Sequence, residues 1–504
     1  MPSGGPLPAG LDFAGLLESS ATRAGERRFL RWRPFEAPAE DWTYARFLDE
    51  VRRVAGGLSA RGVKSGDRVL LASENSPEFL VTWFACAWIG AVCVAVHPRS
   101  AGAELSYFAD ATGVVGAVAQ LDVADRLGGL RWIESTERFD ALRAEPVARS
   151  SPGPTGDLGM MFTSGTTSRP KAVRWKQANG VCAAREGAAH LQLTERDVVM
   201  LFLPLYHVVG LAWTLFPALW AGAEVVLQPK FTASRFWDVA REEHATVASH
   251  VVFSSGVLSR MPVPPSHDFR LWGNSTWLPE FEKHFGVPLV GWWGMTELVA
   301  PGIVGRSPLT PGAIGRAAPG YQVRVLDDQG RDVAPGEAGE LRVRGERGVS
   351  LFADYWGDAK ATAEAFDEQG YFLTGDRMRR NPDGSLTFVE RLKDVIKVGG
   401  EGVSAAEVER VIRQVEGVAD VAVVGKLDPA YGEVCVAFVV AAPGAADVQE
   451  RAMARCRADL AKFKVPREVR LIAELPRANL NKVAKGELRR LATSAADAVP
   501  SSGG

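Results

Sequence analysis

Every side chain between residues 79 and 96 is apolar except that of Thr82. Such a run has to be hidden from water, and its length is marginal for a bilayer, which takes about 20 apolar residues in helical form. Gly90 divides it into a helix-like half and a Val/Ala/Cys half that ends at His97-Pro98. It therefore reads as a buried helix followed by a buried strand, and no membrane span is expected. Residues 67–72 (Asp-Arg-Val-Leu-Leu-Ala) read as a strand before it. Earlier still, Thr43 can cap a helix that places Phe47, Val51, Val54 and Leu58 on one face. Strands and helices alternating at this spacing imply parallel sheets covered on both faces.

With 504 residues the chain is too long for one core, so two to four domains or subdomains are expected. Apolar residues make up 46% and charged residues 23%, as in ordinary soluble proteins. A net charge of −2 gives no electrostatic reason to expect nucleic acid or an anionic membrane as partner. Cys86, Cys93, Cys182, Cys435 and Cys456 are scattered, which suggests neither a disulfide framework nor a zinc site. A reducing cytoplasm is the simplest setting. The N-terminus lacks the charged-then-apolar order of a signal peptide.

The chemistry concentrates in a few segments. A strand-like run, 158–162, leads into Thr163-Ser164-Gly165-Thr166-Thr167-Ser168-Arg169-Pro170-Lys171. Hydroxyls, a glycine and a lysine this close together suit a polyphosphate. Backbone N–H groups and hydroxyls wrap its oxygens, glycine permits close approach, and lysine supplies a point charge. The loop does not fit G-x-x-x-x-G-K-[ST], because no glycine precedes Lys171 and no hydroxyl follows it. Downstream, Gly291-Trp292-Trp293-Gly294-Met295-Thr296-Glu297 sets an aromatic, a glycine, a hydroxyl and a carboxylate in succession. An aromatic face stacks on adenine, Gly294 makes room, and Thr296 and Glu297 reach phosphate oxygens and Mg²⁺. The last quarter reads as a small α+β domain. Ser404 and Glu407 form a capping box, and Val448, Ala452, Cys456, Leu460 and Phe463 stripe a later helix.

In this order the segments resemble the acyl-adenylate-forming superfamily, the AMP-dependent synthetases and ligases that include acyl-CoA synthetases, aryl-CoA ligases, adenylation domains and firefly luciferase. The phosphate loop is similar to T-S-G-T-T-G-x-P-K-G, with Ser168 and Ala172 at two glycine positions. Pro204 to Gly210 resembles P-L-x-H-x-x-G, whose histidine lines or gates the carboxylate pocket, so that role is carried to His207. Val209, Trp213, Gly273, Trp277, Trp292 and Met295 are placed around the same pocket. In the likeness to Y-G-x-T-E, Trp293 replaces tyrosine against adenine, keeping the stacking surface and losing a hydroxyl. Thr296 then contacts phosphate and Glu297 holds magnesium. Asn274 falls in a stretch that is small and Gly/Ala-rich in relatives and contacts adenine. Asp376 matches the Y-x-x-T-G-D aspartate that binds both ribose hydroxyls. In the G-R-x-x-D-x-I-K-x-x-G likeness Arg391 bonds the ribose, Asp394 is the hinge, and Gly399 and Gly400 border the CoA channel. Lys482 stands at the adenylation lysine of L-P-R-x-x-x-G-K, with Asn481 in the glycine position.

The resemblance implies an α/β fold with a large N-terminal domain (1–390) of doubly covered sheets plus a distorted barrel. A hinge (391–394), a small mobile α+β lid domain (395–490) and a disordered tail (491–504) follow. It implies attack of a carboxylate on the α-phosphate of Mg·ATP, then displacement of AMP by a thiol. Lys482 bridges acid and α-phosphate. Lys171 with Thr163, Ser164, Gly165, Thr166 and Thr167 holds the leaving pyrophosphate, and Thr296, Glu297 and His207 complete the catalytic set. Three readings stay open. The first is an acyl- or aryl-CoA synthetase using ATP, Mg²⁺ and CoA, favoured by Gly399-Gly400-Glu401 and by the lack of a carrier domain. The second is a CoA-independent adenylating enzyme, which passes its acyl group to a carrier protein or amine or activates nitrite to diazotise an aryl amine. The third is a non-catalytic nucleotide-binding relative, against which stand Lys171, Glu297, Asp376, Arg391 and Lys482. The partner is a small carboxylic acid in the first reading, and the bulk of Val209, Trp213, Trp277 and Trp292 points to a flat or short one. A homodimer is left open, since its face would read as ordinary surface.

Overall fold

The 79–96 run begins its helix slightly early. Ser76 accepts a hydrogen bond from the Phe79 N–H at 3.2 Å and Pro77 opens the helix Pro77–Trp88. Gly90 takes φ +70°, which an L side chain resists, and the chain enters the fully buried strand Val92–Ala95. The computed structural model of the protein describes residues 7–150, 152–163, 169–391, 395–476 and 483–494. Among them no helix is long and apolar enough to cross a membrane.

Three sheets organise the chain up to Arg391. In the nine-stranded sheet, Leu289–Trp293, Leu271–Asn274, Val247–Ser249, Val198–Leu201, Glu224–Leu227 and Arg28–Trp32 lie side by side and parallel, with antiparallel strands at both edges. In the seven-stranded sheet, Asp157–Thr163, Val92–Ala95, Arg68–Ala72, Gly116–Ala119 and Ile133–Ser135 are parallel. The expected distorted barrel corresponds to an antiparallel four-stranded sheet, Gln322–Leu326, Ala338–Arg344, Phe372–Arg380 and Leu386–Arg391. Helices cover the parallel sheets closely: a Cβ on Gly159 would lie 2.5 Å from the Trp83 ring.

The chain clusters into two compact units. The larger comprises Met1–Pro98, Phe108–Phe162 and Ala172–Leu392, and the smaller Arg99–Tyr107, Thr163–Lys171 and Lys393–Gly504. Within the smaller unit, Glu104 joins the C-terminal residues by accepting from the Ala461 N–H at 3.0 Å and from the Lys464 ammonium. Lys464 also reaches Glu407 at 3.0 Å, so the capping box is only half formed. Ser404 accepts from the Glu407 N–H, while the Glu407 carboxylate turns to the lysine. The helix Lys485–Ser494 carries regular structure into the stretch expected as a tail. Leu488 and Ala492, one turn apart, are buried against Val424, Val436 and Phe438. Residues 495–504 lie outside the described residues.

Two buried polar groups mark the interior of the larger unit. The Asn75 side chain donates to the carbonyls of Leu203 (2.9 Å) and Gln228 (3.1 Å) and accepts from the Leu205 N–H (2.8 Å). It thereby ties the end of Arg68–Ala72, in one sheet, to the ends of Val198–Leu201 and Glu224–Leu227 in the other. His250 is fully buried among Phe202, Phe236 and Trp272, ring centroids 4.3 to 5.5 Å away, with Nδ1 3.2 Å from the Ser254 hydroxyl. Burial pushes its pKa down to about 3 from 6.5.

Asn75→Ala strips three buried backbone groups of their partner and is expected to cost about 3 kcal/mol of stability, read by urea unfolding; a loss under about 1 kcal/mol would show the tie to be dispensable. For His250 the folded chain takes its proton only below pH about 3, whereas the unfolded chain takes it near 6.5. Stability is therefore unaffected above 6.5 and falls with pH between 6.5 and 3, by up to about 1.4 kcal/mol per pH unit. His250→Phe is expected to flatten that slope in unfolding curves at pH 7.0, 5.5 and 4.5, and an unchanged slope contradicts a neutral buried imidazole.

Candidate active site

The strand Asp157–Thr163 delivers Thr163, and Lys171 opens the strand Lys171–Lys176. Ser164, Gly165, Thr166 and Thr167, between them, lie outside the described residues, as do Asp394 and Lys482. In the smaller unit the Tyr107 hydroxyl donates to the Pro170 carbonyl at 2.9 Å, and the Arg169 guanidinium lies 5.3 Å over the same ring. Gly399 and Gly400 make the hairpin between Val395–Val398 and Glu401–Ser404, both at positive φ (+60° and +92°), as a tight two-residue turn requires.

In the larger unit the 204–210 segment shows why its residue types are needed. Asn75 holds Leu205 from one side. Gly210 packs so closely that a Cβ would sit 2.3 Å from the Pro204 carbonyl oxygen. Between them His207 is half-buried at the start of the short helix Val208–Gly210, its ring 4.9 Å from that of Tyr206. Tyr206 in turn faces His97, with a 3.4 Å contact from hydroxyl to Nε2. A π-helical turn, Leu211–Leu215, follows and lets the Thr214 hydroxyl bond the half-buried Val209's carbonyl at 2.7 Å.

The residues expected around the acid pocket pack on one another. Trp292 covers Gly273, where a Cβ would meet the indole at 2.3 Å. Trp213 covers Gly294 in the same way at 2.7 Å, and the two indoles lie 5.6 Å apart. The Trp213 N–H donates to the carbonyl of Val299 (2.8 Å), a β-branched residue at φ +58° and so strained. Trp277 is buried and its backbone N–H donates to the Ala313 carbonyl at 2.8 Å. Met295 is half-buried in extended backbone before the turn Thr296–Leu298.

The residues expected to bind the nucleotide lie on neighbouring strands of two sheets. Trp293 closes the strand Leu289–Trp293, and its indole N–H donates to Asp376 Oδ2 at 2.9 Å. Asp376 is fully buried within the strand Phe372–Arg380, not in a plain turn. Its backbone N–H donates to the Thr374 hydroxyl, which donates to the Leu341 carbonyl of the adjacent strand. Arg391 is the direct strand partner of Asp376, so the backbone brings both expected ribose residues to one register position. Asn274 is registered against Gly291 on the neighbouring strand. Its amide donates to the Thr276 carbonyl, which leaves the buried Oδ1 with no donor among the described residues. A buried acceptor without a donor suits a ligand that carries an N–H, as adenine does.

Glu297 is buried and its carboxylate accepts from the Tyr355 hydroxyl at 2.8 Å. Burial first, and then the Glu297 charge, push the Tyr355 phenol well above its ordinary pKa, so it stays a donor. The carbonyl of Thr296 accepts from the Trp175 indole at 3.0 Å. Among the described residues no group of three or more His, Cys, Asp or Glu is placed to hold a metal. One carboxylate fits Mg²⁺ nonetheless, since that ion is commonly shared between one or two carboxylates and substrate phosphates. Asn75 and Tyr355 were not among the residues expected from sequence. An Asn after a strand and a Tyr in an Asp-Tyr-Trp run carry no local signal, and only the fold gives them partners.

Comparison with known proteins finds relatives that match nearly the whole chain. The AMP-binding enzyme family matches residues 17–356, and the AMP-binding enzyme C-terminal domain matches residues 407–482. Crotonobetaine/carnitine–CoA ligases from Salmonella enteritidis and Salmonella typhi are each 31% identical over 498 residues, covering 92% of this chain and 96% of theirs. An o-succinylbenzoate CoA synthetase from Bacillus subtilis, a double mutant bound to a product analogue, superposes with TM-score 0.84 at 25% identity, covering 95% of this chain and 98% of its own. A fatty acyl CoA synthetase from Mycobacterium tuberculosis does so with TM-score 0.70 at 28% identity, covering 95% and 98%. ATP-bound MatB from Rhodopseudomonas palustris gives 0.69 at 26%, covering 96% and 100%. By these matches the chain belongs to the AMP-binding enzyme family, the AMP-forming acyl-CoA synthetases and their relatives.

Proposed function

We propose that this protein is an AMP-forming acid–thiol ligase that activates a small carboxylic acid with ATP and passes the acyl group to CoA. The observation that carries the reading is the meeting of Trp293, Asp376 and the Arg391 strand position, which gathers base- and ribose-binding residues at one place. In the first step a carboxylate oxygen bonds to the α-phosphorus as the bond to pyrophosphate breaks. In the second, the CoA sulfur bonds to the acyl carbon as AMP leaves with the bonding electrons. Both are catalysed by positioning and by charge placed where charge develops.

Each residue has a part in this reading. Trp293 stacks on the base, Asn274 Oδ1 accepts from it, and Asp376 and Arg391 take the ribose. Lys171, with the loop from Thr163 to Thr167, holds the pyrophosphate oxygens. Thr296 contacts phosphate and Glu297 would hold Mg²⁺, which supplies positive charge there when bound. His207 and Val209 border the acid, and the packing of Trp213 on Trp292 supports a short or flat one. Asp394 serves as hinge for a lid domain after residue 394, and Gly399 and Gly400 border the thiol's path.

The test is AMP formation from Mg·ATP over a panel of aryl and alkyl acids, with and without CoA, read by product mass spectrometry. CoA-dependent AMP release with a thioester product is expected, strongest for small acids. AMP release that ignores CoA, or needs nitrite and an aryl amine, overturns the acceptor, and silence with every acid overturns the activity. Lys482→Ala is expected to lower adenylation by about 100-fold or more while thioester formation from supplied acyl-AMP stays within about tenfold; equal loss of both steps contradicts this division of labour.

A further inference from the structure

Trp293 does something a tyrosine in its place does not do in the same way. Its ring is 8% exposed and its N–H reaches, at 2.9 Å, the carboxylate of a residue that is 0% exposed. Indole nitrogen is a donor only, so the direction of this bond is not in question. A hydrogen bond to a buried carboxylate belongs to the stronger class, and it fixes the rotation of the group that accepts it. The bond spans two sheets: Trp293 ends a strand of the nine-stranded sheet and Asp376 sits in the four-stranded one. On the other side, the Asp376 backbone is tied through Thr374 to the neighbouring strand, so side chain and main chain are each held by a separate contact.

We infer that Trp293 is a positioning residue for Asp376, so that one side chain couples recognition of the base to recognition of the sugar. The inference rests on the proposed ribose role of Asp376. With the N–H in place, Oδ2 is held and the carboxylate meets the ribose hydroxyls in one orientation. Without it, Asp376 Oδ2 loses a donor in a buried place, and the carboxylate turns toward whichever other donors it has. The ring's stacking on the base survives in phenylalanine, whereas the coupling to the sugar does not. Loss of stacking alone weakens all adenine nucleotides in proportion. Loss of the coupling weakens those with both hydroxyls most.

The test uses the whole chain and binding alone, so it needs no knowledge of the acid. Dissociation constants of AMP, 2′-deoxyAMP and 3′-deoxyAMP are measured by titration calorimetry for the parent, Trp293→Phe and Asp376→Asn, with near-ultraviolet circular dichroism to confirm folding. Trp293→Tyr replaces the phenylalanine variant if that one does not fold. The parent is expected to prefer AMP over at least one deoxy analogue by about tenfold, and both Trp293→Phe and Asp376→Asn are expected to lose most of that preference. Preference lost in Asp376→Asn but kept in Trp293→Phe overturns the positioning role and leaves the ribose role standing. Preference kept in Asp376→Asn overturns the ribose role itself, and the inference with it.

Discussion

The Asn75 amide ties together the two parallel sheets of the larger unit. Asn75 follows the strand Arg68–Ala72, and its three hydrogen bonds reach the chain just beyond two parallel strands of the other sheet. The carboxyl ends of parallel strands are where open α/β sheets bind ligands, because the chain there is free to form loops without disturbing the ladder. Such a place is exposed to drift unless the loops are anchored. An amide is suited to the task because it offers donors and an acceptor on one rigid plane, so it satisfies carbonyls and an N–H at once. Leu203 and Leu205 flank Pro204, so the anchor fixes the start of the segment that carries His207.

From that anchor onward the acid side of the site is shaped by subtraction. Gly210, Gly273 and Gly294 each lack a Cβ where one would lie 2.3 to 2.7 Å from a heavy atom. The space left at Gly273 is taken by Trp292 and that at Gly294 by Trp213. Two buried indoles tilted at 59° to each other contribute much apolar area and little freedom to rearrange, so the walls are stiff. The strained backbone of Val299 is kept in place by the Trp213 N–H, which shows the packing bearing a local cost of the kind that clusters at functional sites.

Much of this was legible in the sequence. The apolar run 79–96, broken at Gly90, gave the helix and strand because burial and glycine's backbone freedom act locally. The spacing of the later segments brought the family resemblance, and the fold brings Trp293, Asp376 and the Arg391 strand position together. What sequence could not supply are contacts between residues far apart in the chain. Asn75 lies 128 residues from Leu203, and Tyr355 lies 58 from Glu297. Glu407 shows a local rule overridden: the sequence offers a capping box, but a buried ammonium at Lys464 outbids a backbone N–H for the carboxylate. Residues 491–494, expected as the start of the tail, are helical for a related reason. An Ala/Ser-rich stretch suggests a tail, yet Ala492 is small enough to close against the sheet.

The kind of donor chosen for each site carboxylate is itself informative. Asp197, which holds the fold, is paired with Arg270 at 2.7 Å, and Asp157 is paired with Lys176 at 2.6 Å. Glu297 accepts from a phenol, and Asp376 from an indole. A cationic partner orients a carboxylate and cancels its charge together. A neutral donor orients it and leaves the charge to act on whatever arrives. For the roles proposed for Glu297 and Asp376, attracting a cation and taking two ribose hydroxyls, a neutral donor gives orientation without loss of charge. Burial and the adjacent Glu297 charge both keep the Tyr355 phenol protonated, so the arrangement does not undo itself as pH rises through the ordinary tyrosine range. A donor that orients a carboxylate without cancelling its charge thus suits the roles proposed for Glu297 and Asp376.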